Sequence, residues 1–264
     1  MNDTSINISN LIHDFGGLRA INDISFQIKK GELVGLIGPN GCGKSTTFNC
    51  ISGLIKPTSG EIEIMGNNVN NLRPDEINKL GITRTFQHTR LWKEMTVIEN
   101  ILVPMKNQLS PNPFISLLRP NSRKEEERIL EGYKILESLE ISHISNNLAA
   151  NLSGGQSKLV DIARALMGSP KILLLDEPVA GVANLLAEKI FKNLRNLVTN
   201  TGISILVIEH NMDFILRLGV DRIIVMDSGK ILMEGSSDEV KSNQSVIEGY
   251  LGYSVNKLWK KYLK

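Results

Sequence analysis

Gly38-Pro39-Asn40-Gly41-Cys42-Gly43-Lys44-Ser45 sets three glycines, a lysine and a hydroxyl in one short register. The spacing is G-x-x-x-x-G-K-[ST], and each residue type in it has a chemical reason. Glycines let the backbone curl until successive N–H groups converge on a phosphate. A helix beginning at the end of the loop adds its partial positive charge. Lys44 is expected to reach β- and γ-phosphates, and the Ser45 hydroxyl to ligate Mg²⁺. Pro39, Asn40, Gly41, Cys42, Gly43 and Thr46 complete the expected phosphate cradle. Cys42 stands at a free position of the pattern, where a redox-sensitive thiol and a merely small side chain are both open readings.

A second constellation is Lys171-Ile172-Leu173-Leu174-Leu175-Asp176-Glu177-Pro178, an apolar strand that ends in two acids. Unpaired buried charge is costly, so such an ending needs a reason. Beside a phosphate loop it has one: Asp176 would hold Mg²⁺, directly or through water, and Glu177 would orient and deprotonate an attacking water. Leu152-Ser153-Gly154-Gly155-Gln156 precedes a helical stretch, Lys158–Met167, and Ser153 suits a cap for its orphan amides.

These groups need elements to hold them. Gly31 opens a continuous apolar run, Glu32–Ile37, suited to a strand buried on both faces. Thr46–Leu54 has helical character, Pro57, Ser59 and Gly60 form a turn, and Glu61–Gly66 alternates as a strand. Upstream, Ile6–Ile12 and Ile21–Ile28 alternate loosely. From Arg73 to Ala165 the texture is helical, with helices expected at Thr96–Lys106 and Arg123–Leu139 around a Pro-, Asn- and Ser-containing loop at 107–122. Lys171–Leu175 and Ser204–Ile208 read as strands flanking a helix at Leu185–Val198. Asp227-Ser228-Gly229 turns a hairpin between Ile223–Met226 and Lys230–Met233. Strand–helix–strand order predicts a parallel core with right-handed crossovers.

Composition narrows the function classes. The 264 residues carry 30 basic and 28 acidic side chains, a net charge of +2, which is too balanced for a nucleic-acid binder. Aromatics at 5% leave little for base stacking. Two cysteines, Cys42 and Cys50, make no disulfide framework, and MNDTSINISN lacks a secretory signal, so a reducing cytoplasm is expected. No apolar run reaches the roughly 18 residues a membrane span needs. At about 150 residues per domain the length allows one to two domains, and the absence of repeats favours one nucleotide-binding domain.

Phosphate loop, Leu152–Gln156 segment and Asp-Glu strand, in this order, resemble the ATP-binding cassette (ABC) ATPases over roughly residues 6–252. The resemblance implies an α/β P-loop NTPase with a mixed or parallel sheet core, an antiparallel β subdomain and an α-helical subdomain at about 88–165. It implies that Phe15 stacks on adenine, keeping the π face but not the hydroxyl of the tyrosine that many members have. Gln87, in Thr83-Arg84-Thr85-Phe86-Gln87, matches the glutamine that joins the subdomains and touches Mg²⁺ or the water. His210 matches the histidine that contacts the γ-phosphate, so the implied catalytic set is Glu177, His210 and Gln87. The implied metal set is Ser45, Gln87 and Asp176. Ser153, Gly154 and Gly155 are implied to bind the γ-phosphate of an opposite subunit, so that ATP joins two domains and its hydrolysis separates them. His13, His88 and His143 match no such position and read as structural or exposed. One departure stands out: the loop after Pro178 commonly ends in Asp or Asn, and here it ends in Ala183.

Within the family, Gly81–Gln87 and Arg90–Asn100 look like the larger ATPase subunit of branched-chain amino-acid importers, as do Phe15–Ala20 and Val246–Gly252. Such subunits pair with a second ATPase, as a heterodimer or as a homodimer when isolated. The pair sits beneath two transmembrane permease subunits at the cytoplasmic face of the membrane, with a substrate-binding protein delivering solute. Urea and short-amide importers are near neighbours, and a soluble ABC ATPase acting on nucleic acid or ribosomes is the reading from another class. The absence of a second cassette, coiled-coil insertion or basic arm argues against the latter, and no nucleic-acid partner is expected. The tail at 253–264 carries four lysines around Val255, Leu258, Trp259 and Tyr262 and has two readings, a frayed end or a short amphipathic helix.

Overall fold

The computed structural model describes residues 3–87, 89–104, 122–210, 212–217, 219–244 and 246. The chain begins with β1 (Thr4–Phe15), β2 (Leu18–Lys29), β3 (Leu33–Ile37) and α1 (Lys44–Ile51), then β4 (Ser59–Ile64) and β5 (Asn67–Asn68). Next come α2 (Pro74–Lys79), β6 (Ile82–Arg84), α3 (Val97–Leu102), α4 (Ser122–Ser138) and α5 (Gly154–Leu166). The last third alternates β7 (Ile172–Asp176), α6 (Asn184–Thr201), β8 (Ser204–Glu209), α7 (Met212–Arg217), β9 (Arg222–Asp227), β10 (Lys230–Gly235) and α8 (Ser237–Ser242).

Two sheets result. The first is four-stranded and antiparallel, in the order β2-β1-β4-β5. The second has six strands in the order β10-β9-β3-β8-β7-β6. Its five strands from β9 to β6 run parallel, and β10 returns antiparallel through the Asp227-Ser228-Gly229 hairpin. The expected parallel core is therefore present with one antiparallel edge.

The apolar runs are explained by burial on both faces. In β3, Leu33 and Ile37 join a core with α3, α4, α5 and α6, whereas Val34 and Leu36 face the antiparallel sheet and α1. Strands β7 and β8 alternate in the same way, with Leu173, Leu175, Ile205 and Val207 on one side and Leu174, Leu206 and Ile208 on the other. A strand with two buried faces has no polar alternation to show.

Some boundaries moved. The helix expected at Thr46–Leu54 begins earlier, at Lys44, so that Lys44 and Ser45 occupy its first turn. The helix expected at Thr96–Lys106 is Val97–Leu102, with Thr96 as its cap: its hydroxyl accepts from Glu99 N at 3.4 Å while the Glu99 carboxylate accepts from Thr96 N at 2.7 Å. The region of helical texture from Arg73 to Ala165 also contains a strand, β6, whose three residues are too few to show a period. Of the loop expected at 107–122 only Ser122 is described, and it opens α4; the tail at 253–264 lies outside the described residues, as does His88. No described helix is long and apolar enough to cross a membrane.

Candidate functional site

Parallel register brings the predicted residues to one edge. Ile37 pairs with Glu209, Asp176 with Ile208, and Arg84 with Leu174, so the carboxyl ends of β3, β8, β7 and β6 lie side by side. Ligands of open α/β sheets bind outside such ends. The phosphate loop leaves β3, Glu177 follows β7, His210 follows β8, and Thr85-Phe86-Gln87 follow β6.

The loop is built by backbone that side chains would obstruct. Gly43 has φ +107°, and a Cβ there would lie 2.6 Å from the carbonyl oxygen of Ala20. At Gly38 a Cβ would lie 2.3 Å from the Met226 carbonyl oxygen and 2.4 Å from Cys42 Sγ. Lys44 is buried, and its ammonium donates to the carbonyls of Gly38 (2.7 Å) and Pro39 (2.9 Å). The ammonium thus closes the loop around its own backbone. Ser45 is exposed in the first turn of α1. Cys42 is buried, and burial pushes its thiol up despite the opposing pull of Lys44. A thiol kept protonated is a poor nucleophile, which favours the small-side-chain reading.

Across the edge, Gln87 Nε2 donates to Glu177 Oε2 at 2.8 Å, and His210 Nδ1 lies 3.6 Å from Glu177 Oε1. The three residues of the implied catalytic set therefore meet around one carboxylate. Glu177 has φ +49°, a left-handed conformation uncommon for a non-glycine residue, and its N–H donates to Ile208 O at 3.0 Å. Such strain persists where surrounding contacts over-determine it.

Three groups at this edge were not singled out in the sequence. Arg84 of β6 pairs with Asp176 at 2.7 Å and also donates to Asn49 and Ser52. Lys158 of α5 donates to the carbonyls of Gln87 (2.5 Å) and Glu177 (3.2 Å). Glu209 is buried, and burial is the main cause that pushes its carboxyl up to about 7, against the N–H of Val179 that donates to it at 3.2 Å. Arg84 lies in a three-residue strand, Ile82-Thr83-Arg84, too short to show an apolar run against which its charge would stand out. Nothing local marked Lys158.

Ser153–Gly155 and Phe15 belong to other elements. Ser153 caps α5, accepting from Gln156 N at 3.3 Å while Gln156 Oε1 accepts from Ser153 N at 2.9 Å. Ser153 and Gly154 are exposed and Gly155 is buried. Phe15 ends β1 with 50% of its surface exposed, and the His13 ring packs edge-on against it with centroids 4.5 Å apart. The β1–β2 hairpin meets the phosphate loop where Ala20 approaches Gly43. His13 is buried, as a structural histidine would be, and His143 is exposed.

A glycine-lysine loop between a central parallel strand and a helix, with an Asp-Glu pair at the end of another strand of the same sheet, defines a P-loop ATPase. The family model described as ABC transporter matches residues 21–180, and the chain belongs to the ABC transporter ATP-binding family. It is 41% identical over 261 residues to a probable branched-chain amino acid transport ATP-binding protein, LivG, of Methanocaldococcus jannaschii, covering 96% of this chain and 100% of that protein. It is 37% identical over 254 residues to the high-affinity branched-chain amino acid transport ATP-binding protein LivG of Salmonella typhimurium, covering 96% and 99%. Among solved structures it is similar to the ADP conformation of MJ1267, an ATP-binding cassette of an ABC transporter, at 40% identity and TM-score 0.82, covering 94% of this chain and 99% of that one. The dimeric cassette MJ0796 matches at 31% identity and TM-score 0.73, covering 88% and 98%. The chain is an ABC ATPase, a nucleotide-binding α/β cassette.

Proposed function

We propose that this chain is the ATP-hydrolysing subunit of an importer for branched-chain amino acids, the solute class in the names of its LivG relatives. The observation that carries the hydrolytic part of this reading is the meeting of Gln87 and His210 on the Glu177 carboxylate, and the solute class rests on the relatives alone. Adenine stacks on Phe15, and the loop amides of residues 39–46 and the Lys44 ammonium hold the phosphates. Glu177 accepts a proton from water as the water oxygen bonds to the γ-phosphorus. The bond from that phosphorus to the bridging oxygen breaks, and ADP leaves with the electron pair. Gln87 orients the water and His210 contacts the γ-phosphate.

The donor set suits Mg²⁺. Among the described residues no group of three or more His, Cys, Asp or Glu could hold a metal alone. One hydroxyl (Ser45), one carboxylate (Asp176) and the Gln87 amide fit an ion that takes most of its ligands from phosphate and water. Bound there, Mg²⁺ neutralises charge developing on the phosphate oxygens.

A second ATPase subunit would complete each site through its Ser153-Gly154-Gly155 equivalents. Two permease subunits would take up the resulting motion at the inner face of the membrane, through the helical subdomain expected at about 88–165. The test is Glu177→Gln: ATP binding is retained, single-turnover hydrolysis falls by about a thousandfold, and a closed dimer accumulates. Hydrolysis near the wild-type rate excludes Glu177 as the base. Uptake of radiolabelled leucine, isoleucine and valine, against urea and acetamide, by the reconstituted transporter tests the solute.

A further inference from the structure

The cap of α5 and the Gln87–Glu177 pair stand at separate places in the fold, yet one side chain spans them. Lys158 lies five residues after Ser153, in the second turn of the same helix. Both acceptors of its ammonium are main-chain carbonyls, those of Gln87 and Glu177, segments 71 and 19 residues away in sequence. The side chains of these same two residues bond each other at 2.8 Å. A charge-assisted hydrogen bond to a carbonyl is stronger than a neutral one, so the ammonium clamps the backbone on both sides of that bond.

The helix holds the segment at a second point. Arg164, further along α5, donates to Arg90 O at 2.5 Å, lies over the Trp92 ring at 5.5 Å, and pairs with Asp161. Gln87, Arg90 and Trp92 are therefore tied to α5 through a lysine and an arginine. A helix is stiff over this length. Any displacement of its capped end would move the lysine that holds the backbone of Gln87 and Glu177.

We propose that Lys158 is a positioning residue, tying the Ser153-Gly154-Gly155 end of α5 to Gln87 and Glu177 so that nucleotide held by the opposite subunit sets the geometry of this chain's hydrolytic carboxylate. This rests on the reading of Glu177 as the base and of Ser153–Gly155 as contacts to that nucleotide. It adds a within-chain link between the two half-sites.

The experiment compares Lys158→Met and Lys158→Arg in the full chain, beside Glu177→Gln as control. In nucleotide-free protein, amide exchange in residues 85–92 is expected to quicken at least about threefold in Lys158→Met and to stay near wild type in Lys158→Arg. At saturating ATP, kcat is expected to fall about tenfold or more in the methionine variant, with ATP affinity within about twofold, and the arginine variant to recover most of the rate. If Lys158→Met does not fold, Lys158→Gln, which is polar but lacks the charge and the reach of lysine, replaces it with the same expectations. Three results overturn the proposal: an unchanged rate, a fall expressed in affinity rather than kcat, or failure of arginine to rescue. If Glu177→Gln itself turns over normally, the reading of the base fails instead, and the exchange measurement still decides whether Lys158 holds the segment.

Discussion

The Arg84 guanidinium lies 2.7 Å from the Asp176 carboxylate, and each side chain is only 9% exposed. Strand β6 supplies the cation and β7 the anion. The same guanidinium donates to Asn49 Oδ1 (2.7 Å) in α1 and to Ser52 Oγ (3.2 Å) at its end, and it lies over the rings of Phe48 and Phe86 at 5.4 Å. One side chain thus joins the helix after the phosphate loop, the Asp-Glu strand and the strand leading to Gln87.

Removing one partner of a buried pair leaves an uncompensated charge, at a cost of about 3–5 kcal/mol. Arg84→Met is therefore expected to lose about that much stability. Arg84→Lys keeps the charge without the planar fork and recovers only part. Urea unfolding of the three proteins measures this; an unchanged midpoint for Arg84→Met shows that the pair contributes nothing.

Ala183 precedes α6 with the extended backbone of an N-cap (φ −62°, ψ 142°) but offers no side-chain acceptor. Ala183→Asp supplies one and restores the residue type common at that place in the family. It is expected to raise stability by about 1 kcal/mol. A melting temperature that stays level or falls shows that the introduced carboxylate does not cap the helix.

Glu209 gives a pH dependence whose sign is fixed. Its carboxyl, ordinarily near 4.5, stands at about 7 in the folded chain, so the folded state holds the proton more tightly than the unfolded state. This contribution is fully present below about 4.5 and is lost as pH rises through about 7, on the order of 3 kcal/mol across the window. Glu209→Gln removes the titration and is expected to flatten that part of the stability profile. Denaturation midpoints from pH 5 to 8 decide it: equal slopes for both proteins overturn the assignment.

Phe15 presents half its surface to solvent with its ring oriented by His13. If adenine stacks there, Phe15→Ala weakens ATP binding by about tenfold and Phe15→Tyr leaves it within about twofold. Calorimetry on the isolated chain reads both. An alanine variant with wild-type affinity takes Phe15 out of the site.

What could be read in the sequence was what a short segment specifies by itself. Gly38–Ser45 announces its chemistry because curled backbone needs glycine where a Cβ would strike Ala20 or Met226, and because the lysine must follow directly. The apolar strands were legible because burial on both faces suppresses polar residues over five or six positions. β6 was not, since three residues carry no period, and with it went Arg84, the partner of Asp176. Lys158 was hidden for another reason. A lysine on a helix ordinarily marks a solvated face, and only the folded chain shows that its acceptors lie 71 and 19 residues away. The helix start at Lys44 rather than Thr46 shows the limit for caps: Gly43 precedes α1 in a left-handed conformation without any side-chain cap.

The six-stranded sheet is also a wall between two separate oily compartments. Phe48 and Ile51 anchor the lysine-bearing helix in one, and Leu159, Ile162 and Ala163 anchor the helix of Ser153 in the other. The wall is shared along its length, because β3, β7 and β8 send Leu33, Leu173 and Ile205 into one compartment and Val34, Leu174 and Leu206 into the other. A substitution that changes the volume of one compartment is therefore felt in the other through the strand backbone itself, whose carboxyl ends lead to Asp176 and Glu177.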